Sequence, residues 1–530
     1  QYPNIAAFLK GQPNRIRVTI GNPDVAGADF RVVSPSVYLQ DEISLLHNLK
    51  VSVGVRADET FTDKANQLPS FGALTLTDGS MPYAKYIGDY THSVFISPRL
   101  GFVWDINKNM IVRGGAGTFQ GRMPFAWFAY PFIQNGITTS TVDYRPSFTN
   151  TFTSVPLIIQ AEKQKTINTL YNQGSVYEIN LIDNKFVQPQ MARSNLAIDI
   201  TLPAQTTFSL EGIYTKTIND ILFTNQGLPT AAGKLGGSDT RPIYSATRLA
   251  AAVNPFSAVY VLSNTNLGYR YNITASLMKK GKTLEGSVAY SYGEAKDVAN
   301  GQRNSPQSNV EYNQLVTAND YPLTWSNYDV RHRIISTLSW HNTKGTLISA
   351  VYTGASGTPY SYVYSGDLNG DGSSNNDLIF IPKTSADIKL IPSARPTGQV
   401  DSRTTDQIWA DLDAFIRNDP YLSRHRGEYA ERNGARTPWN HKVDVRIAQN
   451  IGNIEFTFDI SNIGNMINKE WGKSYFVPNL NNQNVYPIQY RSGRAVGALP
   501  SFSFDPMGST YQQDDILSRW QMQVGARIRF

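Results

Sequence analysis

The chain has 530 residues, of which 41% are hydrophobic, 12% aromatic and 17% charged; it has no cysteine and a net charge of +6. Disordered chains are aromatic-poor and highly charged, disulfide scaffolds need cysteines, and helical membrane proteins need apolar runs of about 18 residues, so these classes are excluded. The basic residues occur singly rather than in runs that would neutralise phosphates, so no nucleic-acid partner is expected.

The opening Gln1-Tyr2-Pro3-Asn4 has neither the basic start nor the apolar core of a secretory signal, and reads as the start of a processed or internal segment. Beyond it, period-two alternation organises the chain. Strands are expected at 14–20, 36–45, 48–58, 94–106, 109–120, 187–202, 206–217, 266–279, 283–296, 328–341, 345–357, 440–450, 453–462 and 518–530, about fourteen in all. Leu49, Val51, Val53, Val55 and Ala57 oppose Lys50, Ser52, Gly54, Arg56 and Asp58. In the last strand Trp520, Met522, Val524, Ala526, Ile528 and Phe530 oppose Arg519, Gln521, Gln523, Gly525, Arg527 and Arg529. Successive side chains point to opposite faces, so each such strand has one apolar and one polar side.

These strands run longer than the ~5–6 residues common in soluble sheets and match the ~9–11 of a tilted membrane crossing. Aromatics cluster at their ends: Trp104, Tyr290, Tyr292, Trp340, Trp520 and Phe530. Interfacial girdles of this kind are expected of a membrane barrel. Connections alternate in length. Short Gly/Asn/Pro turns fall at 47–48, 107–109, 203–205, 280–281, 342–345 and 452. Long stretches fall at 58–94, 121–186, 218–266, 297–327, 357–439 and 463–518. Outer-membrane barrels have short periplasmic turns and long extracellular loops, so the pattern assigns sides. Arg56, Arg99, Arg113, Asp199, Glu211, Glu285, Arg331, Arg333, Asp444 and Arg446 are then expected to face a wet lumen, mostly pairing with one another or with material filling the barrel. The fold class is all-β, a transmembrane antiparallel β-barrel occupying residues 1–530.

Several segments resemble TonB-dependent transporters. Val37-Tyr-Leu-Gln-Asp-Glu42 with Gly54-Val-Arg-Ala-Asp58 resembles their mid-barrel hairpin. Ser97-Pro-Arg-Leu-Gly-Phe102, Asn327-Tyr-Asp-Val-Arg-His-Arg333, and Asp459 with Asn462, Asn465, Asn468, Trp471 and Gly472 resemble later strands and turns. The best match is the Oar-like, Bacteroidota-type group. The resemblance implies a 22-stranded barrel with an N-terminal plug and a TonB-contacting segment. Neither is found in this chain, which is expected to be the later, C-terminal portion of the barrel. It also implies an outer-membrane location, uptake of a large or scarce substrate, contact with lipid, coupling to the TonB complex through the missing N-terminal part, and a surface lipoprotein as one partner. The alternatives are a scaffold or secretion-associated barrel, a glycan transporter with a lipoprotein lid, and a passive porin-like channel.

Two local motifs stand out. Asp367, Asn369, Asp371, Ser373 and Asp377 place oxygens at alternate positions with Gly372 at the sixth, following calcium-loop logic. The closer is Asp377 at the eleventh place rather than Glu at the twelfth, and the alternative is an Asn/Asp/Gly-rich turn. The run Phe125, Trp127, Phe128, Tyr130 and Phe132 reads as an aromatic loop, either a substrate-stacking surface or part of the outer girdle. Six scattered histidines form no HExxH, and no GxSxG or P-loop exists, so no enzyme activity and no required cofactor are expected. Gly114-Gly115-Ala116-Gly117 reads as close strand packing, and His332 as a wall or interface residue.

Overall fold

The computed structural model describes residues 9, 16–21, 28, 30–62, 94–122, 124–133, 139–144, 177–244, 256–299, 303–393, 401–477 and 484–530. Thirteen strands pair in chain order into one antiparallel wall. They are β1 (Ser36–Leu46), β2 (Leu49–Asp58), β3 (Phe95–Asn107), β4 (Met110–Gln120), β5 (Gln190–Leu202), β6 (Thr206–Asn225) and β7 (Tyr269–Lys279), then β8 (Leu284–Asp297), β9 (His332–His341), β10 (Thr346–Ala355), β11 (Asn440–Ile451), β12 (Ile454–Ser461) and β13 (Gln521–Ile528). Because consecutive strands are antiparallel neighbours, all short turns lie at one end and all long connections at the other. Local chemistry closes the turns. Asn342 Oδ1 accepts the N–H groups of Lys344 and Thr346, both at 2.9 Å, and Gly345 takes φ 79°.

The register fixes the two faces. One cross-strand row runs Leu284, Trp340, Ile348, Ile447, Phe458, Val524. The next row runs Glu285, Ser339, Ser349, Arg446, Asp459, Gln523. A slip of one residue on any strand would mix them, so the apolar pattern specifies the pairing. On the polar face charges meet in pairs: Arg113 with Asp199 at 3.0 Å and Glu211 at 3.5 Å, and Arg446 with Asp459 at 3.6 Å. The glycine run fits the close-packing expectation. A β-carbon on Gly114 would lie 2.8 Å from the Phe102 ring.

The apolar face carries aromatics at both ends. Trp104 and Trp340 lie beside the short turns. At the opposite end a stack spans β8 to β11. His332 lies 5.6 Å from Trp439, and Trp439 lies 5.6 Å from His441, all near parallel. Tyr290 Oη is 2.8 Å from His332 Nδ1, and Tyr352 Oη is 2.8 Å from His441 Nδ1.

The wall departs from the sequence expectation at its start. Segment 14–20 is not a fourteenth wall strand. Ile16–Gly21 pairs with Thr139–Tyr144 in a separate two-stranded ribbon. At six residues it is too short for a crossing of ~9–11. Among the described residues the wall is also open: β1 and β13 pair only on their inner sides. Both run from the long-connection end towards the short-turn end. They cannot pair antiparallel with each other, so antiparallel closure requires an odd number of further strands between them.

The densest packing lies outside the wall. The long connections build a core from Tyr360, Tyr362, Val363, Tyr364, Leu368, Ile379, Ile381, Phe502 and Phe504, with the helix Thr405–Asn418 laid across it. That helix buries Ile408, Leu412 and Ile416, spaced four apart on one face. Thr404 caps it by accepting the Gln407 N–H, and Gln407 returns a bond to Thr404 N–H. The asparagine motif after β12 is a structural knot. Asn462, at φ 54°, donates from Nδ2 to the carbonyls of Gly472 and Ser518, each at 2.8 Å, and from its N–H to Asp444 at 2.7 Å.

Leu338 is 54% exposed on the apolar face, and Ser339 beside it faces the polar side. Leu338→Arg is expected to destabilise the wall in bilayers by about 2–4 kcal/mol, and Ser339→Arg by less than about 1 kcal/mol. Denaturant unfolding in liposomes measures both, and equal losses would refute the facial assignment.

Candidate functional site

Three places could carry function: the Asp367–Asp377 loop, the aromatic run at 125–132, and the polar face of the wall. The loop is held by its own oxygens. Asp367 Oδ1 accepts Gly370 N–H at 2.6 Å, Asn369 Oδ1 accepts Asp371 N–H at 2.8 Å, and Asp371 Oδ1 accepts Ser373 N–H at 2.8 Å. Asp377 Oδ2 accepts Leu368 N–H at 2.8 Å, while Ser373 Oγ donates to the Glu311 carbonyl at 2.8 Å. Gly370 and Gly372 take φ 84° and 94°, the left-handed turns that glycine allows. These are successive Asx turns. Among the described residues, no three His, Asp or Glu side chains converge as for a metal ion.

The loop's remaining carboxylate oxygen anchors a clamp that the sequence did not single out. Arg241 is fully buried. Its Nε donates to both Asp239 oxygens at 2.9 and 3.0 Å, Nη1 to Asp377 Oδ1 at 3.0 Å and Nη2 to the Leu378 carbonyl at 2.6 Å. Tyr364 and Tyr429 cover the guanidinium at 5.1 and 5.6 Å. The clamp ties the 226–244 connection to the 357–393 connection. Burial pushes the Asp371 carboxyl up to about 6, and the Asp367 charge adds to the shift. Burial also raises Asp377, which Arg241 pulls back and the neighbouring aspartates push further. Nothing in the local spacing Asp239-Thr-Arg241 marks this clamp, because its other partners, Asp377, Leu378, Tyr364 and Tyr429, lie more than a hundred residues away.

The aromatic run is a helix, Ala126–Ile133, rather than a loop, and it accommodates Pro131. Trp127 and Phe128 are buried in a second core with Ile182, Phe186, Phe223 and Leu262. Trp127 meets the edge of Phe223 at 5.2 Å, and its Nε1 donates to the Arg303 carbonyl at 3.2 Å. The run is therefore neither girdle nor open stacking surface along its whole length. Phe125, Tyr130 and Phe132 remain half-buried, with Phe132 stacked on Phe30. Phe125 also lines a polar cavity of about 230 Å³ with Arg56, Asp58, Arg99, Phe119 and Arg122, where the polar face meets the long connections. The lumen charges expected from sequence share this face: Arg56 pairs with Asp58 at 2.8 Å, Arg331 with Asp329 at 3.3 Å, and Glu285 with His341 at 3.1 Å.

Comparison with known proteins gives one family match. A family model described as an outer membrane beta barrel domain covers residues 3–470. No curated protein matches. Among solved structures, a ferric enterobactin receptor of Pseudomonas aeruginosa is 9% identical with a TM-score of 0.41, over 88% of this chain and 46% of that one. The outer membrane transporter YddB of Escherichia coli is 11% identical with a TM-score of 0.44, over 94% and 45%. The FrpB iron transporter of Neisseria meningitidis is 9% identical with a TM-score of 0.39, over 82% and 42%. The chain spans less than half the length of each of these three structures.

Arg241→Ala is expected to loosen the packed connections by about 3–5 kcal/mol, because it strands two buried carboxylates. Limited proteolysis reads this as early cutting within 226–244 and 357–393 with the wall intact; unchanged cutting would contradict the clamp. The pH response has a defined sign. Asp371 binds its proton more tightly folded than unfolded, so its contribution is fully present in acid and is lost as pH rises through about 6. Amide exchange in the loop should therefore be slower at pH 5 than at pH 7 after correction for intrinsic rates, and Asp371→Asn should shrink that difference, with Asp377 supplying the remainder. Calcium calorimetry checks the turn assignment: no calcium-dependent heat is expected, and heat abolished by Asp371→Ala would overturn it.

Proposed function

The chain belongs to the outer membrane beta barrel domain family, and on that premise we propose that it forms the later wall and the external cap of a TonB-dependent transporter. The supporting observation is the polar face. Eight strands make a barrel that side chains can fill. A barrel completed from these thirteen strands with their charged inner face would enclose a lumen that side chains alone cannot fill. Such a lumen is either a water channel or is plugged.

Three further features favour the plugged reading. The segments resembling transporters fall on adjacent wall elements: the Gly54–Asp58 segment pairs in register with the Phe95–Arg99 segment. The two unpaired edges call for further strands, which we assign to another part of the same polypeptide, together with the plug and the segment that contacts TonB. The packed connections form a cap over the external end rather than loose capture loops. In this reading the substrate meets the cap, passes to the polar face near Phe125, Arg56 and Arg122, and is admitted when the plug moves. Uptake of a scarce or large solute fits that design, and the Oar-like grouping rests on the sequence motifs. We assign the Asp367–Asp377 loop a structural role in the cap, as the seat of the Arg241 clamp, in place of a calcium site.

Planar-bilayer recording of the complete protein tests the plugged reading. A closed resting state that opens when the plug is unfolded with urea is expected. Steady conductance without urea would establish a passive channel instead.

A further inference from the structure

Three arginines share one cross-strand row on the polar face. Arg99 stands opposite Gly117, Gly117 opposite Arg193, Arg193 opposite Thr215, and Thr215 opposite Arg270. Neighbouring arginines are two strands apart, about 10 Å at the backbone. The residues between them are glycine and threonine, so no bulky group separates the guanidinium groups. Arg99 leans over the gap: a β-carbon on Gly117 would lie 3.1 Å from Arg99 Cγ. Its guanidinium carbon also rests 4.9 Å from the Phe119 ring centre.

These arginines differ from others on the same face. Arg56, Arg113, Arg331 and Arg446 each have a carboxylate partner. Among the described residues, Arg99, Arg193 and Arg270 have none within ion-pair distance. Arg193 donates from Nε to Thr215 Oγ1 at 3.1 Å, and Arg270 from Nη2 to Met191 Sδ at 3.7 Å; neither contact neutralises a charge. A cavity of about 270 Å³ opens beside the row, bordered by Arg99, Arg193, Phe119, Gln40 and Asn195 and floored by Gly115. Asp220 acts on Arg270 from beyond ion-pair distance, and at the Arg99 and Arg193 end of the row the like charges leave a field that an anion relieves. Arginine's planar fork matches the paired oxygens of carboxylate and phosphate.

We infer that this cavity, together with the arginine row that runs on from it to Arg270, binds a small solute carrying at least two anionic groups. Arg99 and Arg193 converge on one group above Gly117, and Arg270 takes the second. Gln40 and Asn195 supply amide contacts to its neutral part. The inference depends on the transport reading only in that the polar face lines the lumen.

Calorimetry on the complete protein in detergent at low salt, with citrate and with pyrophosphate as probes, tests it. At least one probe is expected to bind, with affinity falling as salt is added. The R99Q/R193Q double variant should lose at least tenfold in affinity. Arg193→Lys, which keeps the charge but not the fork, should lose several-fold, and Arg446→Gln, from an already paired position, should change nothing. The probe that binds identifies the anion as carboxylate or phosphate. Failure of both probes to bind, or equal binding by R99Q/R193Q, overturns the inference. A closed pore without anion binding would discard this site and leave the transport reading standing; anion binding by a steadily open pore would do the reverse.

Discussion

Inside hydrocarbon a strand has no water to satisfy its N–H and C=O groups, so each group must find a partner on a neighbouring strand. The wall meets this demand by pairing every strand with its neighbours in sequence order, from β1 through β13. The long and short connections, the strict alternation and the separation of faces all follow from that ladder. Its two open edges are the points where the demand is unmet. The direction of β1 and β13 then limits any antiparallel completion to an odd number of strands, a constraint that no single strand carries.

A wall with lipid on one side and water on the other cannot hold a conventional core. The apolar side chains of the row from Leu284 to Val524 face outward, and the charges of the row from Glu285 to Gln523 face a wet interior. Packing is therefore concentrated in the long connections, around Tyr362, Ile379, Leu412 and Phe504. There buried and half-buried arginines join segments distant in sequence. Arg241 holds Asp239 and Asp377, Arg436 holds Asp329, and Arg403 reaches Asp401, Asp411 and Asp505. Such pairs add little net stability over apolar packing, but removing one partner is severe. They fix which connection lies against which.

The wall is legible in the sequence because a period of two leaves a signature in every strand, and all twelve of its partnerships are between wall strands consecutive along the chain. The first expected strand was misplaced because a six-residue alternation looks the same in a ribbon as in a wall. In sequence the aromatic run at 125–132 looks like a loop because Pro131 and the dense aromatics obscure its helical period. Its burial depends on Phe186 and Phe223, which no local pattern links to it. The Asp367–Asp377 loop stands out in the sequence, and both of its readings rest on the same oxygens. The N–H groups that those oxygens accept support the turn reading. The arginine row was invisible because Arg99, Arg193 and Arg270 are aligned by register alone.

The central claim is that the wall spans the outer membrane with the packed connections outside and the short turns inside. The chain has no native cysteine, so single cysteines report position without background. Ser374 lies exposed in the packed connections and Thr343 exposed in a short turn. A membrane-impermeant maleimide applied to intact cells should label Ser374→Cys at once, and Thr343→Cys only after the outer membrane is permeabilised. Labelling of both on intact cells, or of Thr343→Cys alone, would contradict the account.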